Sequence, residues 1–166
     1  MKYFKECNTL DEAKNKFKIL CFELHPDTSG GNTQQQFIAM FKEFKIVSKT
    51  LKNNSTNEAE QNFDSDKFYN LIKKFDGLEN IKISFVGSFI WLEDIEPFAM
   101  YQQKDIIKSI KIEDYNPPRW ARAKKSWYFS PQDYKSKGRS RKNLDELKSV
   151  FGSQSYKTKS KIRLTA

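Results

Sequence analysis

From Leu10 onward, apolar residues recur at helical spacing. Ala13, Phe17, Leu20 and Leu24 form one stripe, and Lys14, Lys16 and Lys18 lie off it. Thr9 with Glu12 three positions on has the form of a capping box, and the helix dipole favours Asp11 and Glu12 in the first turn. Pro26 ends this helix, because the residue before a proline is pushed out of the α region. A second helix is predicted after Gly30-Gly31-Asn32-Thr33, striped by Phe37, Met40, Phe41, Phe44, Val47 and Leu51. Two such helices joined by a loop can bury one stripe against the other as an antiparallel pair. A further short helix is expected around Tyr3 to Cys7.

The pattern then changes. Asn53-Asn54-Ser55-Thr56-Asn57 marks a polar linker over 53–61. Beyond it Asp64 to Phe75 reads as a helix striped by Phe68, Leu71, Ile72 and Phe75. Ile81, Ile83 and Phe85 alternate with Lys82, Ser84 and Val86. Gly87-Ser88 can turn the chain back into Phe89-Ile90-Trp91-Leu92, which makes a β-hairpin. Ile106, Ile107 and Ile110 suggest a short helix, and Trp120 through Lys124-Lys125 to Trp127-Tyr128-Phe129 a second hairpin. Leu144, Leu147, Val150 and Phe151 make a last helix, which Gly152 can terminate. The expected fold class is α+β: an N-terminal helical domain over 1–52, the linker, a small α+β domain with β-hairpins over 62–152, and a flexible basic tail over 153–166.

Composition sets the limits of this reading. With 14 Phe, 7 Tyr and 3 Trp among 166 residues, two small aromatic cores are within reach although 31% of residues are charged. The net charge of +9 is unevenly placed. Residues 119–166 carry 14 basic against 3 acidic residues, whereas 1–118 carry 16 against 18. The excess therefore lies in the last third, which points to an anionic partner there. Arg119, Arg122, Lys124, Lys125, Lys135, Lys137, Arg139, Arg141 and Lys142 interleave with Trp120, Trp127, Tyr128 and Tyr134. Cations for a phosphate backbone and aromatics for base stacking are the chemistry of DNA or RNA binding. A purely structural account makes Trp120, Trp127 and Phe129 hairpin core and the cations a solubilising surface. No groove-reading motif is present, so such binding would be weakly specific.

Two cysteines, Cys7 and Cys21, and one histidine, His25, cannot assemble a zinc site, and reduced thiols in a cytoplasmic protein are expected. Neither a secretory signal nor a membrane span is legible: the run Ile83 to Leu92 is short and broken by Ser84, Gly87 and Ser88. A glycine-rich phosphate loop, a nucleophile triad and paired carboxylates are all missing, so neither catalysis nor a cofactor is expected.

The loop between the first two helices reads His25-Pro26-Asp27-Thr28-Ser29-Gly30-Gly31. A bare His-Pro-Asp is a helix end followed by a turn. Here it follows a lysine-bearing amphipathic helix and precedes a second one. The segment Ala13 to Asp27, with Phe17, Lys18, Leu20 and Cys21 at characteristic positions, resembles the J domain of DnaJ-like co-chaperones over about residues 2–51. The resemblance implies a partner, a DnaK-type ATPase. On that reading His25, Pro26 and Asp27 make the triggering contacts, and Lys14, Lys16 and Lys18 attract an acidic surface. Ile19 and Glu23 thin the positive face relative to many members, and the glycine/phenylalanine-rich and zinc modules of full DnaJ proteins are absent. The segments Gly87-Ser88-Phe89-Ile90-Trp91, Trp120 to Pro131, and Leu144-Asp145-Glu146-Leu147 to Gly152 are similar to the C-terminal part of small J-domain proteins of phages and mobile elements. The expected function is a co-chaperone that brings a DnaK-type ATPase to a target held by the basic C-terminal domain. The alternative is a nucleic-acid-binding or replication-associated protein in which the helical pair is a scaffold.

Overall fold

The computed structural model of the chain describes residues 2–24, 33–52, 64–135 and 142–158. Two compact units emerge, Met1–Asn70 and Leu71–Ala166. Among the described residues the first is helical and the second mixes short helices with an antiparallel sheet, which makes the chain α+β.

In the first unit α1 spans Leu10–Glu23 and α2 spans Gln34–Lys52. The capping box forms: the Glu12 amide donates to Thr9 Oγ1 at 3.2 Å, and the Thr9 amide donates to Glu12 Oε2 at 3.3 Å. The buried stripe of α1 is rotated from the expected one. Leu10, Ala13, Lys14, Phe17, Cys21 and Phe22 are buried, while Leu20 and Leu24 are only half-buried. The stripe of α2 matches the expectation at Phe37, Met40, Phe44 and Val47, with Phe41 and Leu51 half-buried. Phe17 joins the two helices, its ring stacked on Phe44 at 4.1 Å and edge-on to Phe41 at 5.5 Å.

No helix forms over Tyr3 to Cys7; a turn closed by Cys7 N–H to the Phe4 carbonyl at 3.1 Å stands there. The amides of Lys2, Tyr3 and Phe4 donate instead to the Glu43 carboxylate at 2.9–3.0 Å, and Phe4 is buried against Phe44. Partial burial pushes the Glu43 carboxyl up, but the three amide hydrogen bonds outweigh it and hold the group below its ordinary value of about 4.5. A group depressed in the folded state stabilises above its unfolded pKa and loses that contribution as pH falls through the folded value. Acidification below about pH 4.5 should therefore loosen this unit, and Glu43→Gln should flatten that dependence in thermal melts followed by circular dichroism between pH 7 and 3.

Helix α3, Ser65–Lys73, crosses the division between the units, which falls after Asn70 rather than in the 53–61 linker. The reason is aromatic. Phe68 lies 5.9 Å from Phe22 and 6.4 Å from Phe17, and Tyr69 lies 4.8 Å from Phe37, so the start of α3 belongs to the first core. The linker itself lies outside the described residues.

The second unit is a five-stranded antiparallel sheet in the order β3-β4-β2-β1-β5, with β1 Ile81–Val86, β2 Phe89–Asp94, β3 Arg119–Ala121, β4 Ser126–Phe129 and β5 Ser153–Lys157. Both expected hairpins form. Gly87 at φ 57° opens the first turn, and Lys125 at φ 48° closes a single 3₁₀ turn over Arg122–Lys124 in the second. Both faces of the sheet carry buried side chains. Ile81, Ile83, Ile90, Leu92 and Phe129 share one face, and Phe129 meets Phe75 edge-on at 5.7 Å. Ser84, Val86 and Trp91 are buried on the other, where α6, Leu144–Phe151, packs. This second cover is why β1 does not show the expected single buried register: Val86 is buried and Phe85 only half-buried. Between the hairpins stand α4, Ala99–Gln102, and α5, Lys104–Ser109, with Ile107 buried.

The expected flexible tail is corrected over 153–157, where Ser153–Lys157 forms β5 along β1. Gly152 at φ 70° ends α6, after which the chain runs as a strand whose Tyr156 is buried opposite Ile83. Thr158 fixes its end, accepting from the Ile81 amide at 3.0 Å and donating its own amide to the Ile81 carbonyl at 2.9 Å. Residues 159–166 lie outside the described set.

Candidate functional site

Two places hold the residues singled out from the sequence. On the first unit, α1 runs to Leu24, whose amide donates to the Leu20 carbonyl at 2.9 Å. His25, Pro26 and Asp27 follow at once but lie outside the described residues. The three lysines of α1 do not form a uniform exposed face. Lys14 is buried, because positions 10, 13, 14, 17 and 21 share the packed side of the helix, and its ammonium lies 3.6 Å from Asp11. Lys16 lies 3.7 Å from Glu6. Lys18 is half-buried, its Nζ 5.9 Å from the Phe68 ring centroid; desolvation first, and then the Lys14 charge, push its pKa down. Burial also pushes the Cys21 thiol up, as expected of a core cysteine.

On the second unit a groove of about 1210 Å³ opens on the sheet face shared by β2, β4 and β3. Its floor is a run of rings. Trp91 stacks on Tyr128 at 5.0 Å and on Phe89 at 6.3 Å, and Tyr134 meets Phe89 edge-on at 4.8 Å. The register explains the gathering: Trp91 pairs with Tyr128 across β2 and β4, and Tyr128 with Arg119 across β4 and β3, so all three share one face. Val86, Trp91 and Leu144 form the cluster beneath, with Ala121 and Leu147 packed against it. One wall comes from α6 through Leu147 and Phe151, the other from β3 and the 3₁₀ turn. Among the described residues four cations line the groove, Arg119, Arg122, Lys124 and Lys142, and no carboxylate does. Lys124 sets its ammonium 6.0 Å from the Trp91 ring centroid.

No protein-family model, curated protein or solved structure matches this chain.

Of the basic and aromatic residues expected to act together, seven line the groove, Arg119, Trp120, Arg122, Lys124, Tyr128, Tyr134 and Lys142, but the Trp120 ring, paired with Trp127, lies on the other face of the sheet. Lys125 and Lys135 are exposed away from it. Trp127 is half-buried, its side chain paired with Trp120 edge-on at 5.7 Å. Lys137, Arg139 and Arg141 lie outside the described residues. Phe89 and Trp91, the centre of the floor, are read from the sequence as part of the returning strand of the first hairpin and not as candidate site residues. Their signal is the i, i+2 spacing of two large aromatics beside a Gly-Ser turn, on the face opposite Ile90 and Leu92. Among the described residues no group of three or more His, Cys, Asp or Glu could hold a metal ion, and no helix is long and apolar enough to cross a membrane.

Proposed function

We propose that the chain is a J-domain-type co-chaperone, stimulating ATP hydrolysis by a DnaK-type partner and delivering it to a target held by the second unit. The observation that supports this reading most is the end of α1. The helix is capped at Thr9, anchored through Phe17 on α2, and runs to within one residue of His25-Pro26-Asp27. A tripeptide that must insert into a partner benefits from a rigid helix beside it, since ordering costs are then met in folding rather than in binding. Lys16 and Lys18 supply charge toward an acidic surface; the buried Lys14 contributes chiefly packing.

Steady-state ATP turnover by a bacterial DnaK-type protein tests the reading. The wild-type chain should raise turnover, and His25→Gln or Asp27→Asn should remove the stimulation while leaving the far-ultraviolet circular dichroism unchanged. Equal stimulation by wild type and both variants, or none by the wild type, would refute it.

A further inference from the structure

We propose that the groove on the β2-β4-β3 face of the second unit is a binding site for single-stranded nucleic acid. Base stacking needs rings with an accessible face, and phosphate binding needs cations beside them. The groove has both. Its floor, the Phe89-Trp91-Tyr128 stack, is held by the Val86 and Leu144 cluster, and Trp91 is only 6% exposed, so this layer is a fixed base rather than a contact to be reorganised. Above it the rings at the rim are open: Tyr134 is 46% and Phe151 62% exposed. Aromatics left this open inside one concavity are the mark of a contact surface rather than of a core.

The charge pattern chooses the occupant. Arg119 and Arg122 bracket the strand that forms one wall, and Lys124 and Lys142 complete the ring of cations. Among the described residues no carboxylate pairs with Arg119 or Arg122. The ion pair of Lys148 with Glu93 at 2.6 Å ties α6 down outside the groove lining. At about 1210 Å³ the groove exceeds the roughly 300–1,000 Å³ usual for a small-molecule pocket and suits a stretch of polymer. A duplex hides its base faces and would leave the open rings unused. An acidic protein segment would use the cations but gain nothing from π-faces. A single strand uses both. Nucleic-acid binding here does not depend on the co-chaperone activity proposed above, which is read by a different assay.

Fluorescence anisotropy of the full chain with a labelled mixed-sequence single-stranded DNA, the same RNA, and the DNA duplex tests the site. If four cations displace counterions from a single strand, affinity should fall on the order of 50-fold between 50 and 200 mM salt. The double variant Arg119→Ala/Arg122→Ala should leave a fall of only about 7-fold. Tyr134→Ala and Phe151→Ala should each weaken binding on the order of 5- to 150-fold and keep the wild-type salt dependence. Lys108→Ala, an exposed charge on α5 away from the groove, should change neither quantity. Thermal melts of each variant establish that the sheet unit remains folded; if Tyr134→Ala unfolds it, the exposed Phe151 carries the stacking test alone. Failure of either single strand to bind at 50 mM salt would overturn the proposal. So would duplex binding as tight as single-strand binding, or ring variants without effect. Tighter binding of a poly-glutamate peptide than of either strand would assign the groove to an acidic protein instead.

Discussion

Replacing Phe17 by Ala is expected to destabilise the first unit by about 3–5 kcal/mol, the usual cost of truncating a fully buried phenylalanine. Phe17 has no exposed surface, and its ring touches three others, Phe41, Phe44 and Phe68, at 4.1–6.4 Å. The rings of Phe41, Phe44 and Phe68 that meet it are carried on α2 and α3, whose backbones limit how far they can move into the space. Urea unfolding followed by far-ultraviolet circular dichroism measures the loss. The sequence supplies a second probe, since all three tryptophans, Trp91, Trp120 and Trp127, lie in the second unit and report on it separately. A loss below about 1 kcal/mol would contradict the packing described for Phe17.

The second large effect is expected at Glu93. Its carboxylate accepts from Lys148 Nζ at 2.6 and 2.8 Å and from Ser84 Oγ at 3.0 Å, with the Lys148 side chain 13% and that of Glu93 24% exposed. Glu93→Ala leaves a nearly buried ammonium with only Asp145, 3.6 Å away and well exposed, for compensation. Removing one partner of a buried pair costs about 3–5 kcal/mol; partial solvent access brings the expectation here to about 2–3 kcal/mol. Replacing both by apolar residues, Glu93→Leu with Lys148→Met, should recover most of that loss, because no charge is then stranded. Tryptophan-monitored urea unfolding of Glu93→Leu, Lys148→Met and the double variant forms the cycle that measures the pair. A double variant as unstable as the sum of the singles would mean that the pair does not couple.

Much of the fold was written in local signals. Thr9 with Glu12, the stripe of α2, and Gly87 in a two-residue turn act within a few residues, and the structure realises each of them. What escaped reading depends on partners far along the chain. Lys14 has the composition of a surface residue, yet helix phase turns it inward, where its methylenes pack. The amides of Lys2, Tyr3 and Phe4 are held by Glu43, some forty residues on, a partner that no local pattern shows. Ser153–Lys157 carries no hydrophobic alternation beyond Tyr156, since an edge strand facing water on one side needs only one apolar anchor.

The groove was half legible for the same reason. Its cations and outer rings stand together between Arg119 and Lys142, and a charge count finds them. Phe89 and Trp91 enter it through the β2–β4 register, which pairs residues 37 apart and is invisible to periodicity. Their alternation with Ile90 and Leu92 signals a strand, but which face meets solvent is settled by α6 covering one end of that face and leaving the other open.

The pairing of β1 with β5 also bears on how the chain is made. During synthesis Ile81–Val86 leaves the ribosome some seventy residues ahead of Ser153–Lys157, the strand that covers its outer edge. In that interval the nascent sheet presents a row of unpaired amides and carbonyls flanked by Ile81 and Ile83, the kind of edge on which another chain can add a strand. A truncation before Ser153 would make that transient exposure permanent, and the shortened product should aggregate rather than accumulate as a smaller folded domain.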